Sequence, residues 1–228
     1  MHINADFTLP ASVRPENHQW IASPQAGVER VMLDRVGAEV ARATSLVRYA
    51  PGSDFRAHRH AGGEEILVLS GVFSDEHGDY PAGWYLRNPP GSSHSPRSAP
   101  GAVIFVKLQQ MRDDETQAVR IDTRDAARWQ AANGRAVCRL FDDAHEQVSM
   151  LRLPGAAPLT VPERDGMELL VISGALSVDG IPHPAGSWIR LPPGAHPAMQ
   201  ALEDTQVYAK TGPGLWPADS AAAEGRTP

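Results

Sequence analysis

Four side chains in the first half of the chain have the types and spacing of a divalent-metal site: His58, His60, Glu64 and His94. Residues two apart on a strand point to one face, so the imidazoles of His58 and His60 can reach the same ion. Gly62-Gly63 allows a bend that returns Glu64 to that side, and its alternation with Ile66 and Val68 places it among inward-facing positions. Glu65 is the rival carboxylate; strand parity favours Glu64. The turn Pro89-Pro90-Gly91 reverses the chain and brings His94 onto a neighbouring strand. Imidazole nitrogen and carboxylate oxygen suit zinc, iron(II), nickel or manganese. Such a set leaves one or two positions open on an ion that takes five or six ligands, as a reactive or ligand-exchanging site requires. Isolated histidines are usually surface or core residues, and His2, His18, His77, His145 and His183 are read that way.

The elements that must hold these groups occur twice. Ser45-Leu46-Val47-Arg48-Tyr49-Ala50-Pro51-Gly52 has a counterpart in Val148-Ser149-Met150-Leu151-Arg152-Leu153-Pro154-Gly155, and Glu65 to Gly71 in Glu168 to Gly174. Pro81-Ala82-Gly83 through Pro89-Pro90-Gly91 matches Pro184-Ala185-Gly186 through Pro192-Pro193-Gly194, and all three pairs share an offset of 103 residues. A repeat held in register over that length is a tandem duplication. Each copy alternates short runs of Val, Ile, Leu and aromatic residues with Pro-Gly and Gly-Asp turns, which reads as strands. Ala102 to Gln109 and Thr205 to Lys210 supply a late strand in each copy, and Asp125 to Ala132 is the best candidate helix. The polar stretch Met111 to Gln117 reads as the linker. The expected organisation is therefore all-β: a first small barrel or sandwich over 1–112, a second over 113–217, and a weakly structured tail over 218–228, with Trp216 able to pin its start.

Composition removes several classes of function. The 228 residues carry 20 Gly and 20 Pro, which favours frequent turns over long helices. A net charge of −6 argues against a nucleic-acid platform. The single cysteine, Cys138, excludes an internal disulfide framework and reads as a buried small hydrophobe. The start of the chain lacks a signal-peptide pattern, and the longest aliphatic run, Ile66 to Leu69, is far too short to span a bilayer. A cytoplasmic protein with no membrane or nucleic-acid partner is expected.

The offset also tests the second copy for a metal. His58 maps to Val161, His60 to Glu163, Glu64 to Met167 and His94 to Pro197. Two apolar residues and a proline cannot hold an ion, so this copy reads as structural. A slipped set of Glu163, Glu168 and His196 is the alternative, although a one-residue shift turns a strand side chain to the other face.

The first copy resembles the two cupin motifs. Gly52, His58, His60, Glu64 and Gly71 follow Gly-x5-His-x-His-x3-Glu-x6-Gly, and Gly83, Pro89, Gly91 and His94 follow Gly-x5-Pro-x-Gly-x2-His. The Asn that often closes the second motif is replaced by Ser98. With the duplication, the resemblance implies two tandem cupin (double-stranded β-helix, jelly-roll) barrels, a bicupin. The stretches His58 to Glu65, Gly71 to Tyr80 and Arg87 to Pro96 are similar to the cupin domain of ChrR-type anti-sigma factors. That resemblance implies one divalent ion per chain, zinc before iron, manganese or nickel, and a part in the response to small oxidants. The family's anti-sigma module, with its His-x3-Cys-x2-Cys zinc site, has no counterpart here, so direct sigma-factor inhibition is not expected. The acidic hairpin with Asp75, Glu76 and Asp79 is a candidate surface for a protein partner in stress signalling, its alternative being a solvated hairpin tip. Other cupins with this ligand set are dioxygenases acting on diketones or hydroxylated aromatics, which makes a mononuclear metal enzyme the second reading. Tyr49, Arg56, Tyr85, Arg87 and Lys107 are then candidates to orient an anionic substrate, although strand parity does not decide which face inward and surface or rim positions are the alternative; a storage bicupin without activity is the third reading. The expected state is a monomer or homodimer.

Overall fold

The computed structural model describes residues 1–38 and 40–216. Among them helix is confined to short 3-10 turns at Pro15–Asn17, Ala126–Arg128 and Pro213–Leu215. No helix among the described residues is long and apolar enough to cross a membrane. Contacts divide the chain into two units. One comprises Met1–Ala5 and His18–Asp125; the other comprises Asp6–Asn17 and the chain from Ala126 onward. The first unit thus runs past residue 112, and a short N-terminal segment belongs to the second.

Strand pairing explains both departures. The main sheet of the first unit orders Val28–Gly37, Ala41–Tyr49, Ala102–Leu108, Glu64–Asp75, Trp84–Asn88 and Val119–Asp122. That of the second orders Arg135–Asp142, Gln147–Leu153, Thr205–Thr211, Met167–Ser173, Trp188–Leu191 and Ala11–Val13. The edge strand Val119–Asp122 follows the linker yet pairs antiparallel with Trp84–Asn88, while Ala11–Val13 pairs with Trp188–Leu191. A strand at a sheet edge has unsatisfied backbone groups, and each unit covers one such edge with a segment from beyond its repeat.

Each unit has its own core, built from the inward alternation that the sequence shows. Ile66, Val68, Phe73, Tyr80, Leu86, Ile104 and Val106 cluster in the first. Leu153, Val161, Met167, Leu169, Ile189, Met199 and Val207 do so in the second. Gly71 and Gly174 hold the same bend of the long strand in positive φ, at 69° and 73°. A Cβ on Gly71 would lie 2.0 Å from the Gly101 carbonyl oxygen, and one on Gly174 would lie 2.6 Å from that of Asp204. Only glycine fits both positions.

The helix expected over Asp125 to Ala132 is largely absent. After the turn Ala126–Arg128 the chain becomes a strand, Trp129–Ala132, paired with Arg135–Asp142. Asn133 and Gly134 join them with φ of 52° and 74°, the two positive angles that a tight hairpin needs. The Asn-Gly pair was the signal, and it outweighs the modest helix propensity of the alanines before it. The strand is held by Arg152, whose guanidinium lies 3.8 Å from the Trp129 ring centre. Trp216 donates its indole N–H to the Asp165 carbonyl at 2.9 Å and packs edge-on against Phe7, fixing the chain past Gly212. The tail expected over 218–228 lies outside the described residues.

Candidate metal centre

Three short stretches of the first unit bring the histidines together. His58–Arg59 pairs antiparallel with Ser93–His94, so that His58 and His94 face each other across the ladder. The His60 amide donates to Ser92 O at 2.9 Å and its carbonyl accepts from the Gly91 amide at 2.8 Å, which locks the Pro-Pro-Gly turn under the site. The ligating atoms of His58, His60 and His94 all lie within 4.8 Å of one another, a group able to hold a metal ion. It is the only such group of three among the described residues.

Glu64 opens the next strand, and its Oε2 lies 3.3 Å from His94 Nε2 and 3.5 Å from His60 Nε2. Glu65 takes the opposite face, where its carboxylate accepts from Arg87 Nη1 at 3.1 Å. The structure therefore brings Glu64, and not its rival, to the histidines. His60, Glu64 and His94 are buried, whereas His58 is exposed at the mouth. His60 Nε2 and His94 Nε2 approach to 3.0 Å. This donor set has more lone pairs than protons to fill them, which is the arrangement a divalent cation satisfies.

Residues behind the site hold its members, and sequence spacing did not reveal them. Asp75, read above as part of an exposed acidic surface, is fully buried, with Oδ2 3.7 Å from His94 Nδ1. Its carboxylate also accepts the His77 amide at 2.8 Å. Burial opposes charge on His94, but the Asp75 and Glu64 carboxylates outweigh it and raise its pKa. For His60 burial prevails and lowers the pKa. Burial also works against charge on Asp75, yet His94, the His77 amide and Arg120 together lower its pKa. Asn88 donates from Nδ2 to Glu64 Oε2 at 3.0 Å and accepts from Arg120 Nη2 at 2.6 Å. Arg120 comes from the edge strand Val119–Asp122, so the segment beyond the linker positions a carboxylate of the site. Such outer partners fix the orientation of ligating groups. The rest of the acidic hairpin stays outside: Glu76 accepts the Ser95 amide at 2.9 Å, and Asp79 is exposed.

The histidines His58 and His60 and the Glu64 carboxylate line a cavity of about 340 Å³ whose apolar walls include Val47, Tyr49, Phe55 and Ile104. Burial, and secondarily the charge of Glu64, raises the pKa of Tyr49 and keeps its hydroxyl protonated. Of the other candidates to orient a substrate, Tyr85, Arg87 and Lys107 are fully buried and do not line this cavity. Arg87 is held between Glu65 and Glu115, and Lys107 Nζ donates to Thr44 Oγ1 at 3.1 Å. Arg56 is exposed and also lies off the lining. Ser98, standing where the motif often has Asn, is buried and donates to the Val72 carbonyl at 2.6 Å. Cys138 is buried, as its strand position suggests.

In the second unit the equivalent positions form no site. Val161 and Met167 are core residues, while Glu163 and His196 are exposed. Glu168 is buried and accepts the Trp188 indole N–H at 2.7 Å, so the slipped set Glu163, Glu168 and His196 is not assembled. A larger hollow of about 560 Å³ in this unit, lined by Arg135, Arg152, Pro154, Ser173 and Asp204, contains no group of metal-ligating side chains.

Residues 9–112 match the family described as ChrR Cupin-like domain. No curated protein matches the chain. Solved structures share the fold at low identity. Bacterial pirin YhhW from Escherichia coli, in complex with nickel(II), is 12% identical at a TM-score of 0.68, covering 90% of this chain and 99% of that one. The E. coli protein Ylba is 17% identical at a TM-score of 0.68, covering 90% and 92%. Salicylate 1,2-dioxygenase from Pseudoaminobacter salicylatoxidans is 13% identical at 0.60, covering 76% and 70%. The chain is all-β and shares the cupin fold with these structures, and the match to the ChrR Cupin-like domain lies in its first half.

Proposed function

We propose that the first unit binds one divalent metal ion through His58, His60, Glu64 and His94, and that a small molecule reaches the ion from the cavity. The convergence of three imidazoles, two of them within 3.5 Å of the buried Glu64 carboxylate, carries this reading. In the manner of ChrR-type cupins, the chain would then act as a metal-binding module that binds or senses a small oxidant in oxidative-stress regulation, with zinc as the first candidate metal. The ion would supply Lewis acidity and an exchangeable coordination position. The chain's own groups do the rest: Asp75 orients His94, Asn88 orients Glu64, and the apolar walls exclude water from the bound molecule. The second unit is a degenerate copy with a structural role, which makes the chain a bicupin with a single metal.

A specific observation favours a second reading, a mononuclear dioxygenase acting on a diketone or hydroxylated aromatic compound. The cavity of about 340 Å³ beside the histidines is at the small end of ligand pockets and is walled by Tyr49 and Phe55. The fold is also shared with a salicylate dioxygenase.

Metal analysis of the wild type, His58→Ala and His94→Ala tests the first reading. About one ion per chain is expected in the wild type and a loss in both variants, as an open site with few protein ligands requires. Metal retained by both variants would overturn the assignment. Anaerobic loading with iron(II), followed by oxygen uptake with the two substrate classes, separates the readings: uptake supports the dioxygenase, and its absence leaves the binding module.

A further inference from the structure

We infer that the cavity of the first unit takes a small organic acid, whose carboxylate docks on Arg30 and Arg35 while another of its atoms faces the metal. This rests on the metal reading above and adds the ligand's chemical class.

The strand Val28–Gly37 carries both arginines, five residues apart. On a regular strand that separation would turn them to opposite faces. Here the register slips between Met32 and Asp34: Arg30 pairs with Val47 and Met32 with Ser45, but Asp34 pairs with Thr44 and Arg35 with Ala43. Ala43, Ser45 and Val47 alternate along one face of their strand, the face that lines the cavity. Leu33 is thus the extra residue of a β-bulge, and its insertion brings Arg35 back to the side of Arg30. Both guanidinium side chains line the same cavity as His58, His60 and Glu64.

Register across the sheet sets the distance. Glu64 pairs with Leu108, Leu108 with Ala43, and Ala43 with Arg35, so the metal end and the arginine end share a row. Three strand spacings of about 4.8 Å give a span of about 14 Å between backbones. The long arginine side chain and a metal–ligand bond of roughly 2 Å shorten that span to the length of a small molecule.

The arginines have no anionic partner among the described residues. Arg30 donates to the Ser23 hydroxyl and Arg35 to the Ala38 carbonyl. The neighbouring Arg48, on the outer face, has Glu29 at 2.8 Å. Burial, and then the charge of Arg35, lower the pKa of Arg30, a cost that an anion between them would relieve. Two half-buried guanidinium groups with free fork donors are the arrangement that recognises carboxylate by paired hydrogen bonds. Tyr49 lies within electrostatic reach of both Arg30 and Glu64, linking the two ends of the cavity.

Zinc-loaded protein titrated calorimetrically with acetate, benzoate, 4-hydroxybenzoate and succinate, each beside its neutral amide, tests the proposal. At least one acid is expected to bind tenfold or more tightly than its amide. Arg30→Gln should abolish that preference with metal content unchanged, Arg30→Lys should keep part of it, and thermal melting should show both variants folded. No acid preferred over its amide, or a preference that survives Arg30→Gln, overturns the proposal. Metal-stripped protein makes the two readings separable. A chain that takes up no metal but prefers acids through Arg30 sinks the metal reading alone, and one that binds metal but ignores charge sinks this inference alone.

Discussion

The two units share one strand order and differ at the centre. On the outer face of both sheets a buried charge set is kept at the same offset. Glu65 stands beside Arg87 and Lys107 in the first unit, and Glu168 beside Arg190 and Lys210 in the second. All six are buried. On the inner face the first unit has two histidines, a glutamate and a third histidine, where the second has Val161, Glu163, Met167 and Pro197. The sheet therefore does not need the histidines. Val161 and Met167 fill the interior of the second unit with ordinary apolar packing. The outer charges could not be lost one at a time in the same way, because removing one partner leaves the other buried and unpaired. A site on this fold is a replaceable set of inward positions, while the framework is carried by the bends and the outer face.

The sharpest break of that comparison is His60→Ala in the first unit beside Val161→Ala in the second. The histidine variant should lose its metal and the valine variant keep it, by metal analysis of the purified chains. The next largest effect falls on the face the units share. Arg87→Met takes the guanidinium from Glu65 and Glu115, Lys210→Met takes the ammonium 2.8 Å from Glu146, and each should cost about 3–5 kcal/mol in denaturant unfolding. A cost confined to one unit would show that the outer sets are not equivalent.

Met167→Ala should destabilise by about 2–5 kcal/mol through the cavity it leaves, with metal content unchanged. Its counterpart Glu64→Ala should instead weaken metal binding. The smallest effect is expected behind the ligands, where Asp75→Asn should lower metal affinity roughly 10- to 100-fold without unfolding the chain. Competition with a chromogenic chelator measures it. An unchanged affinity would remove Asp75 from the site.

Much of this arrangement was legible in residues that act locally. The bends at Gly71 and Gly174, the Pro-Pro-Gly turns and the alternation around Ile66 and Leu169 state strand, turn and inward face within a few residues. The misreadings came where partners are distant. Asp75 looked like a solvated acid because Glu76 and Asp79 flank it, but the long strand carries it inward behind His94. Arg87 and Lys107 looked like substrate groups until their pairing with Glu65, Glu115 and Thr44 placed them outside the cavity. The Asn133-Gly134 hairpin was local and legible, and the alanines before it masked it.

The sequence by itself determined the duplication, the all-β class, the four candidate ligands and the replacement of all four in the second copy. Each follows from short-range spacing, because strand parity repeats every two residues and a turn needs only two or three particular ones. Only the tertiary structure decided that Asp75 lies behind His94, which strand closes each sheet edge and that Arg30 and Arg35 share a cavity. Those outcomes depend on register between strands far apart in the chain and on one inserted residue in a bulge, which inverts the face of everything beyond it.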